Sequence, residues 1–288
     1  MSTPPTITTA IIPASGFNTR RLPVTAAFPK DFMPIGNRPA IDYLVDDLVR
    51  AGITDIYMVV HPFQHDLFER YFHGYEELDH HLQRKHKQVA LDELHTLRAR
   101  ASFHFIDNTV TVAGGMHGST VSLRLALEQL SGLDGFIYAS ADDFTVRSDG
   151  GSDMVDLVQA FQSTGADGAV LGMTAPLADL KQMGVFEVRP EAGTPWLKQV
   201  VEKPAHPEKL PQPRSANIGK YLFTATIRPF VDQTPPNPAN NEYMITDVLN
   251  SYVKEHRLVV VPAEGSYYDV GTVKNWLAAN QALVDSRG

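Results

Sequence analysis

The chain has 288 residues, of which 43% are hydrophobic, so it is long enough to form one large α/β domain with a full core. Its formal net charge of −8 argues against general binding to nucleic acid or to an anionic membrane, because both favour a basic protein surface. Cysteine is absent, which excludes disulfides, thiolate nucleophiles and cysteine-ligated metals and fits a reducing compartment.

The chain begins with MSTPPTITT, which has neither the basic region nor the apolar run of a secretory signal. No apolar run in the sequence approaches the ~18–20 residues that a membrane span needs. We therefore expect a soluble, cytoplasmic protein with neither a membrane nor a nucleic acid as its partner.

Apolar strand-like runs and amphipathic helical segments alternate through the first part of the chain. The predicted strands are Ile7–Ala14, Asp55–Val60, Phe103–Ile106, Phe136–Ala141 and Ala169–Met173. The predicted helices are Ala40–Gly52, Pro62–Phe72, Ser119–Leu130 and Asp153–Gln162, together with a polar helical region at Tyr75–Arg100. This alternation predicts an α/β fold with a Rossmann-like, mostly parallel central sheet and helices on both faces.

The pattern changes after about residue 175, where proline-rich turns separate shorter strand-like pieces. The later elements are strands at Val185–Arg189, Leu197–Glu202, Asn217–Phe223 and Leu258–Val261, and helices at Glu242–Lys254 and Val273–Val284. We interpret the first three of these strands as a small antiparallel extension of the sheet. The prediction is a single domain, residues 1–288, with one part at about 6–175 and a second at about 176–288.

The segment TAIIPASGFNTRRLPVTAAFPKDFMP leaves the first predicted strand through a cationic, proline-rich loop. Ligands of open parallel sheets bind beyond the carboxyl ends of the strands, so this loop is well placed to contact one. Ser15 and Gly16 let backbone N–H groups approach a ligand, and Arg20 and Arg21 offer planar donors that suit phosphate oxygens. Lys30 adds a point charge between two prolines. The alternative is a solvated surface loop, because the segment is neither a P-loop nor a GxGxxG fingerprint.

The same segment resembles the signature of sugar-1-phosphate nucleotidyltransferases, G-x-G-T-R-x-x-P-x-T-x-x-x-P-K-x-x-x-P, which here runs from Gly16 to Pro34. The stretches that follow, PAIDYLV and AGIT, are similar to the bacterial UTP–glucose-1-phosphate uridylyltransferases of that family. Asn18 stands where the signature has its second glycine. Since Asn is the non-glycine residue that best tolerates a left-handed backbone, we expect the turn to survive this change.

Four later stretches match the family in the same order, so the resemblance spans nearly the whole chain. Asp142 in YASADDF and Asp269 in YYDVGT fall at the family's two metal-binding carboxylates, which implies a Mg²⁺ cofactor. VEKP, with Glu202 and Lys203, matches a motif that contacts the sugar and its phosphate, and NEYMITD resembles an E-x-x-L-T-D segment. Each motif alone fits a turn or a helix cap, but their joint order favours the functional interpretation.

The resemblance implies a nucleotide-diphospho-sugar transferase fold whose first part binds the nucleotide and whose second part binds the sugar. It implies an enzyme that makes a UDP-sugar and pyrophosphate from UTP and a hexose 1-phosphate. The implied catalytic residues are Arg20 at the β- and γ-phosphates, Lys30 at the nucleotide phosphates and Lys203 at the sugar phosphate. The implied nucleotide-binding residues are Ala14, Ser15, Gly16, Asp31 and Gly118. The implied sugar-binding residues are Gly184, Glu202, Lys203 and Asp143, and the implied metal ligands are Asp142 and Asp269.

Two departures from the family leave the substrates open. Asp107-Asn108-Thr109 stands where relatives carry R-Q-G, so the glutamine that pairs with uracil is missing and dTTP remains an alternative to UTP. Asp143 stands where relatives often have an apolar residue. Since a carboxylate near the sugar would favour an ammonium group, glucosamine 1-phosphate remains an alternative to glucose 1-phosphate.

Two other classes of protein fit the sequence less well than this enzyme. A regulatory protein that binds sugar nucleotides without chemistry should lack a metal carboxylate or the leaving-group arginine, and this chain has them all. An NAD-dependent dehydrogenase needs GxGxxG after the first strand and an acidic residue after the second, where this chain has His61. By resemblance, we also expect a homo-oligomer, either a dimer or a tetramer.

Overall fold

The computed structural model describes residues 4–285, without the side chains of residues 111–113 and 284–285, so residues 1–3 and 286–288 of the predicted domain lie outside it. The strands are β1 (Thr9–Ala14), β2 (Pro34–Ile35), β3 (Arg38–Pro39), β4 (Asp55–Val60), β5 (Ser102–Asp107), β6 (Gly135–Ala139), β7 (Asp143–Val146), β8 (Gly168–Met173), β9 (Gly184–Glu191), β10 (Thr194–Glu202), β11 (Arg214–Thr224), β12 (Leu258–Pro262) and β13 (Ser266–Asp269). The helices are α1 (Ala40–Arg50), α2 (His65–Phe72), α3 (Glu76–Arg84), α4 (Gln88–Ala99), α5 (Thr109–Gly114), α6 (Val121–Gln129), α7 (Asp153–Thr164), α8 (Leu177–Leu180), α9 (Arg228–Gln233), α10 (Ile245–Tyr252) and α11 (Val273–Asp285).

The elements predicted from the sequence are present, with ends that differ by a few residues. The polar region at residues 75–100 divides into α3 and α4, and between them His86 has a left-handed φ of 55° that interrupts the helix. The loop after β1 contains three short 3₁₀ turns, at Thr19–Arg21, Val24–Ala26 and Lys30–Phe32.

The central sheet is mixed, with the strand order β5-β4-β1-β6-β11-β8-β12-β10-β9. The pairs β4–β5, β1–β4, β1–β6 and β8–β12 are parallel. β11 runs antiparallel to β6, β8 and β9, and β10 runs antiparallel to β9 and β12. The α/β class is therefore confirmed, but the antiparallel strands reach the centre of the sheet instead of forming only an extension. Parallel neighbours need a long crossover connection, usually a helix. Only turns and a short 3₁₀ helix join β9, β10 and β11, so the pairs that β9 forms with β10 and β11 are antiparallel.

The additional pairing of β11 with β9 closes β11, β8, β12, β10 and β9 into a small barrel-like sheet. The two parts of the chain predicted to bind different substrates thus share one continuous sheet, with β11 inserted between β6 and β8.

Helices cover both faces of the sheet and bury two hydrophobic cores. On one face α1, α2 and α7 pack together, and Ile41, Leu44, Val45 and Leu48 of α1 supply the apolar stripe that the sequence predicts. On the other face α6, α9 and α10 pack over the same strands. Within residues 4–285, no helix combines the length and the apolar character that crossing a bilayer requires.

A separate pair of short strands, β7 and β13, was not predicted from the sequence. Asp269 at the end of β13 lies opposite Asp143 at the start of β7. Phe144 and Val270 pack against α11 in a third core, which fixes this pair against the last helix. Two segments that are far apart in the chain, each with a predicted site residue, are thereby brought side by side.

Candidate active site

A cleft of about 1160 Å³ opens beyond the carboxyl ends of β1, β6 and β8. The predicted site residues that line it are Arg20, Lys30, Asp142, Asp143, Gly184, Glu202 and Asp269. The predicted site residues that are not among its described lining are Ala14, Ser15, Gly16, Asp31, Gly118 and Lys203. The structure therefore brings together the predicted metal carboxylates, two of the three predicted catalytic cations and most of the predicted sugar site.

The turn after β1 keeps its shape without the second glycine of the signature. Asn18 has φ 53° and ψ 49°, so the prediction of a left-handed residue at this position is confirmed. Its side-chain amide donates to the Gly16 carbonyl at 2.7 Å, and the Thr25 hydroxyl donates to the Asn18 carbonyl at 3.0 Å. These bonds hold the turn that directs Arg20 to the cleft.

The two arginines of this turn have different surroundings. Arg20 is exposed, lines the cleft and has no carboxylate partner among the side chains that the structure describes. Arg21 is only 4% exposed, and its guanidinium lies over the Trp276 ring at 5.3 Å and donates to the Met33 sulfur at 3.5 Å. The sequence suggested both as phosphate donors, and both line the cleft. Arg20 is exposed there, whereas Arg21 is buried against α11 at the cleft wall.

Asp142 follows β6 and forms an ion pair with Lys30, with 2.5 Å between the Lys30 Nζ and the Asp142 Oδ2. Its other oxygen accepts a short hydrogen bond from the Ser140 hydroxyl. Burial opposes ionisation of Asp142, but the charge and hydrogen bond of the Lys30 ammonium, with the Ser140 hydrogen bond and the Lys220 charge, together outweigh it and hold the pKa of this carboxyl well below its usual range. Burial lowers the pKa of Lys30, but the carboxylates of Asp142, Asp31 and Asp143 together raise it by more. Both groups are therefore charged at neutral pH.

Asp269 ends β13 and lies beside the Asp142 segment, because the Val270 N–H donates to the Asp142 carbonyl at 2.9 Å. Its Oδ1 accepts from the Gly271 N–H at 2.9 Å, and its Oδ2 accepts a short bond from the Asn275 amide. Two carboxylates thus face one cleft from neighbouring strand ends.

This donor set fits a hard divalent cation. Oxygen ligands suit Mg²⁺, which commonly takes one or two protein carboxylates and completes its shell with water and substrate phosphates. No group of three or more metal-binding side chains that could hold a metal occurs among the residues that the structure describes. Two carboxylates without a third protein ligand are consistent with a cation that is completed by its substrate.

Asp143 has internal partners for both carboxylate oxygens. The ammonium of Lys220 contacts Oδ1, and the Tyr267 hydroxyl donates to Oδ2 at 3.0 Å. Burial raises the pKa of Asp143 to about 6, although Lys220 opposes the shift. The sequence argument for Asp143 as a sugar contact was its attraction to the ammonium group of an amino sugar. That argument is weakened, because the ammonium of Lys220 already pairs with this carboxylate.

The far side of the cleft contains Gly184 and Glu202, which lie opposite each other in the β9–β10 register. A Cβ at Gly184 would lie 3.2 Å from a Glu202 carboxylate oxygen, so glycine keeps this space open. The Lys203 side chain is 59% exposed, with its ammonium 3.6 Å from the Glu202 carboxylate. Lys203 lies next to the cleft, and its contact with a sugar phosphate stays a prediction.

The predicted nucleotide residues lie at the end of β1, in the loop that follows it and in the loop before α6. Ala14 is buried at the end of β1, and the Ser15 hydroxyl accepts from the Asn108 amide at 2.8 Å. Asp31 is 2% exposed, next to the Lys30–Asp142 pair. Gly118 has φ 126°, and a Cβ there would lie 2.3 Å from the Tyr243 carbonyl oxygen, so close backbone packing requires this glycine. Their contacts with a nucleotide stay predictions.

Sequence reasoning missed Lys220, Tyr267 and Asn275, which hold the two acidic segments in place. One signal was available, since a lysine within the apolar strand NIGKYLF requires a buried partner. Tyr267 and Asn275 gave no such signal, because both residue types are common at strand and helix ends.

Comparison with known proteins gives a consistent result over nearly the whole chain. The profile of the nucleotidyl transferase family matches residues 9–286. The UTP–glucose-1-phosphate uridylyltransferase of Escherichia coli K12 is 29% identical over an alignment that covers 96% of this chain and 89% of that protein. An apo UDP-glucose pyrophosphorylase is similar in structure, with 28% identity, a TM-score of 0.86 and coverage of 98% of this chain and 100% of that chain. A UDP-glucose pyrophosphorylase complexed with UDP-glucose has 26% identity, a TM-score of 0.82 and coverage of 97% and 99%.

Proposed function

The chain belongs to the nucleotidyl transferase family, and we propose that it makes UDP-glucose and pyrophosphate from UTP and glucose 1-phosphate. The proposal takes its substrates from the name of the Escherichia coli relative. The observation that carries it is a single cleft lined by Arg20, Lys30, Asp142 and Asp269, which come from three separate stretches of the chain. Such a set of charges suits two anions that must react with each other.

In the proposed reaction the protein positions the two substrates and stabilises their negative charge. A phosphate oxygen of the sugar phosphate attacks the α-phosphorus of the nucleotide, a new O–P bond forms, and the bond to the β-phosphate oxygen breaks. Since a sugar phosphate is already ionised at neutral pH, no general base is required. Arg20, free and exposed in the cleft, would stabilise the negative charge that develops on the departing pyrophosphate.

Lys30 would bind phosphate oxygens of the nucleotide from its place between the loop and Asp142. Lys203 would bind the sugar phosphate, Glu202 would accept from sugar hydroxyls, and the open space at Gly184 would admit the ring. On this proposal the part at about 6–175 binds the nucleotide and the part at about 176–288 binds the sugar.

Asp142 and Asp269 would hold a Mg²⁺ ion, whose charge offsets the repulsion between the triphosphate and the sugar phosphate. Ser140 and Asn275 orient these two carboxylates by short hydrogen bonds. Ionised Asp142 is ready to bind a cation throughout the neutral pH range, because its pKa lies well below the usual value.

Ala14, Ser15, Gly16, Asp31 and Gly118 are proposed to shape the nucleotide site. The left-handed turn at Asn18 supports this role for the loop, since it lets the backbone of residues 14–16 approach a ligand. The base itself remains to be tested, with dTTP as the alternative to UTP.

The internal pairing of Asp143 with Lys220 favours glucose 1-phosphate over glucosamine 1-phosphate. A carboxylate that already neutralises a buried lysine offers little additional attraction to an amino sugar. We therefore keep the amino sugar as an outcome of the test.

The test is a pyrophosphate-release screen that crosses UTP, dTTP and the other nucleoside triphosphates with glucose 1-phosphate and glucosamine 1-phosphate, with and without Mg²⁺. We expect the highest kcat/KM for UTP with glucose 1-phosphate and no release without metal. A preference for another pair would correct the substrates. Binding of UTP by isothermal titration, without pyrophosphate release from any pair, would instead indicate a regulatory protein.

We further propose that the protein is a cytoplasmic homo-oligomer, either a dimer or a tetramer. The exposed Val273 and Leu277 side chains on α11 offer apolar surface for such an interface. Light scattering after size-exclusion chromatography measures the mass directly, and a monomer would contradict this part.

A further inference from the structure

A lysine is buried in the middle of β11. Lys220 is 2% exposed, and its ammonium donates to the Ser140 carbonyl at 2.9 Å, to the Asp143 carbonyl at 3.1 Å and to the Asp143 carboxylate. Removing an ammonium and a carboxylate from water is unfavourable, and replacing such a pair with apolar side chains often does not lower stability. A charged pair at this position therefore calls for a reason beyond stability.

The pair extends to a third strand through its carboxylate. Asp143 accepts a hydrogen bond from the Tyr267 hydroxyl at 3.0 Å, and Tyr267 is on β13, which ends at Asp269. The chain of contacts Lys220–Asp143–Tyr267 thus joins β11, the start of β7 and β13. We refer to these three side chains as the buried triad.

The buried triad surrounds the corner between β6 and β7. Ser140 and Asp143, both contacted by Lys220, flank Asp142 on its two sides. Backbone bonds hold the same corner, because the Ser140 N–H donates to the Gly219 carbonyl at 2.9 Å and the Val270 N–H donates to the Asp142 carbonyl at 2.9 Å. The corner carrying Asp142 is thereby fixed from β11 on one side and from β13 on the other.

We infer that Lys220 is a positioning residue: through Asp143 and Tyr267 it holds the strand ends of Asp142 and Asp269 at the spacing needed to share one divalent cation. The inference rests on the proposed function, which supplies the cation. It assigns Lys220 no contact with substrate. Partners that orient metal ligands typically change metal affinity or activity by about 10–100-fold when they are removed.

The experiment compares Lys220→Met with Lys220→Arg in the full chain. Mn²⁺ binding to the protein without nucleotide is followed by the EPR signal of the free ion, and the Mg²⁺ concentration for half-maximal pyrophosphate release is measured separately. We expect Lys220→Met to lower the affinity for Mn²⁺ and to raise the Mg²⁺ concentration for half-maximal release, each by roughly 10–100-fold. Lys220→Arg should recover most of the loss, because a guanidinium keeps the charge and several donors. The KM for UTP at saturating Mg²⁺ should change little.

Arg100→Met is the matched control, because Arg100 forms an ion pair with the fully buried Asp42 and neither residue is among those that line the cleft. It should lower the melting temperature and leave the Mn²⁺ titration unchanged. If Lys220→Met does not fold, Tyr267→Phe removes one hydrogen bond of the triad and should weaken Mn²⁺ binding in the same direction, by several-fold.

Two results separate failure of this inference from failure of the proposed function. Wild-type metal requirement and Mn²⁺ affinity in folded Lys220→Met, or in Tyr267→Phe if the first variant does not fold, would overturn the inference and leave the function intact. A wild-type protein that neither binds Mn²⁺ nor needs Mg²⁺ for pyrophosphate release would overturn the metal site, and the inference with it.

Discussion

Two adjacent aspartates each pair with a lysine, but the two ion pairs have different surroundings. In the cleft-facing pair, the Lys30 and Asp142 side chains are 22% and 26% exposed. In the interior pair, the Lys220 and Asp143 side chains are 2% and 12% exposed. Burial opposes ionisation at both carboxyls. At Asp142 the charge and hydrogen bond of Lys30, with the Ser140 hydrogen bond and the Lys220 charge, together outweigh burial and lower the pKa, whereas at Asp143 burial prevails and raises the pKa to about 6.

The difference shows how neighbouring residues of one type serve separate purposes. Water and ligands can reach the cleft-facing pair, so a phosphate or a cation can take the place of either partner. In the interior pair Lys220 is buried, and Asp143, which borders the cleft, has both carboxylate oxygens bonded to Lys220 and Tyr267. This pair holds the corner on which the other pair is built. If this comparison is right, changes in the first pair should affect activity, and changes in the second should affect stability and metal affinity.

The largest effect is expected from Asp142→Asn, which removes the ionised carboxylate of the cleft-facing pair. The kcat/KM for pyrophosphate release should fall by roughly 10³-fold or more, because a charged ligand at the reacting phosphates is lost. The melting temperature should change by only about 2 °C, since the side chain is partly exposed. Asp55→Asn changes a partly exposed carboxylate that does not line the cleft; it is the control and should retain activity. Near-normal turnover in Asp142→Asn would contradict the site.

Arg20→Ala and Arg21→Ala extend the comparison to the loop after β1. Arg20→Ala should lower kcat by roughly 10²–10³-fold with an unchanged melting temperature, because a donor to the leaving group is lost. Arg21→Ala should lower the melting temperature by about 3–6 °C, since it removes a buried side chain that packs over Trp276. Because Arg21 also lines the cleft, kcat should fall too, but by less than in Arg20→Ala. Steady-state kinetics and thermal unfolding of both variants measure the two effects. A larger loss of kcat in Arg21→Ala, or a larger loss of melting temperature in Arg20→Ala, would contradict this prediction.

The free energy of unfolding should differ between variants of the two lysines, Lys220 and Lys30. Lys220→Met leaves the buried Asp143 carboxylate without its charge partner and should lower the free energy of unfolding by about 3–5 kcal/mol. Lys30→Met, at the partly exposed pair, should lower it by no more than about 1 kcal/mol. Urea denaturation of the two variants at one pH gives both values. Equal losses would mean that the two pairs do not differ as described.

The smallest effect concerns Asp31, which is buried beside the cleft-facing pair with one carboxylate oxygen lacking a partner in the described part of the chain. Burial raises the pKa of Asp31 to about 6. The folded protein therefore binds this proton more tightly than the unfolded chain, so this group should increase stability as the pH falls from about 7 towards 4. Asp31→Asn imitates the neutral form and should raise the free energy of unfolding at about pH 7 by about 1–3 kcal/mol.

Urea denaturation at several pH values between about 5 and 8 tests this expectation. Stability of Asp31→Asn should depend less on pH in that window than stability of the wild type. Some dependence should remain, because the pKa of Asp143 is also raised to about 6 and contributes with the same sign. An unchanged slope would indicate that Asp31 does not titrate there.

Much of the fold and of the site could be predicted from local patterns. The apolar stripe of α1 and the alternation of strands and helices gave the elements, and the signature loop identified Arg20 and Lys30 as cleft residues. The left-handed conformation of Asn18 was predictable because it depends on the residue type, and asparagine tolerates this backbone region better than other non-glycine residues. The central place of β11 was not, because the edge at which a strand enters a sheet depends on partners far away in the chain.

By itself, the sequence determined where strands and helices form, which loop carries the cations and to which family the chain belongs, since these depend on short-range periodicity and on residue order. Only the tertiary structure decided that Asp269 lies opposite Asp143, that Asp142 pairs with a lysine of the cleft while Asp143 pairs with a buried one, and that Tyr267 completes the corner. The reason is that burial and pairing depend on contacts between distant segments. Asp142 and Asp143 are chemically identical neighbours, but successive side chains of an extended chain point in opposite directions and so meet different partners.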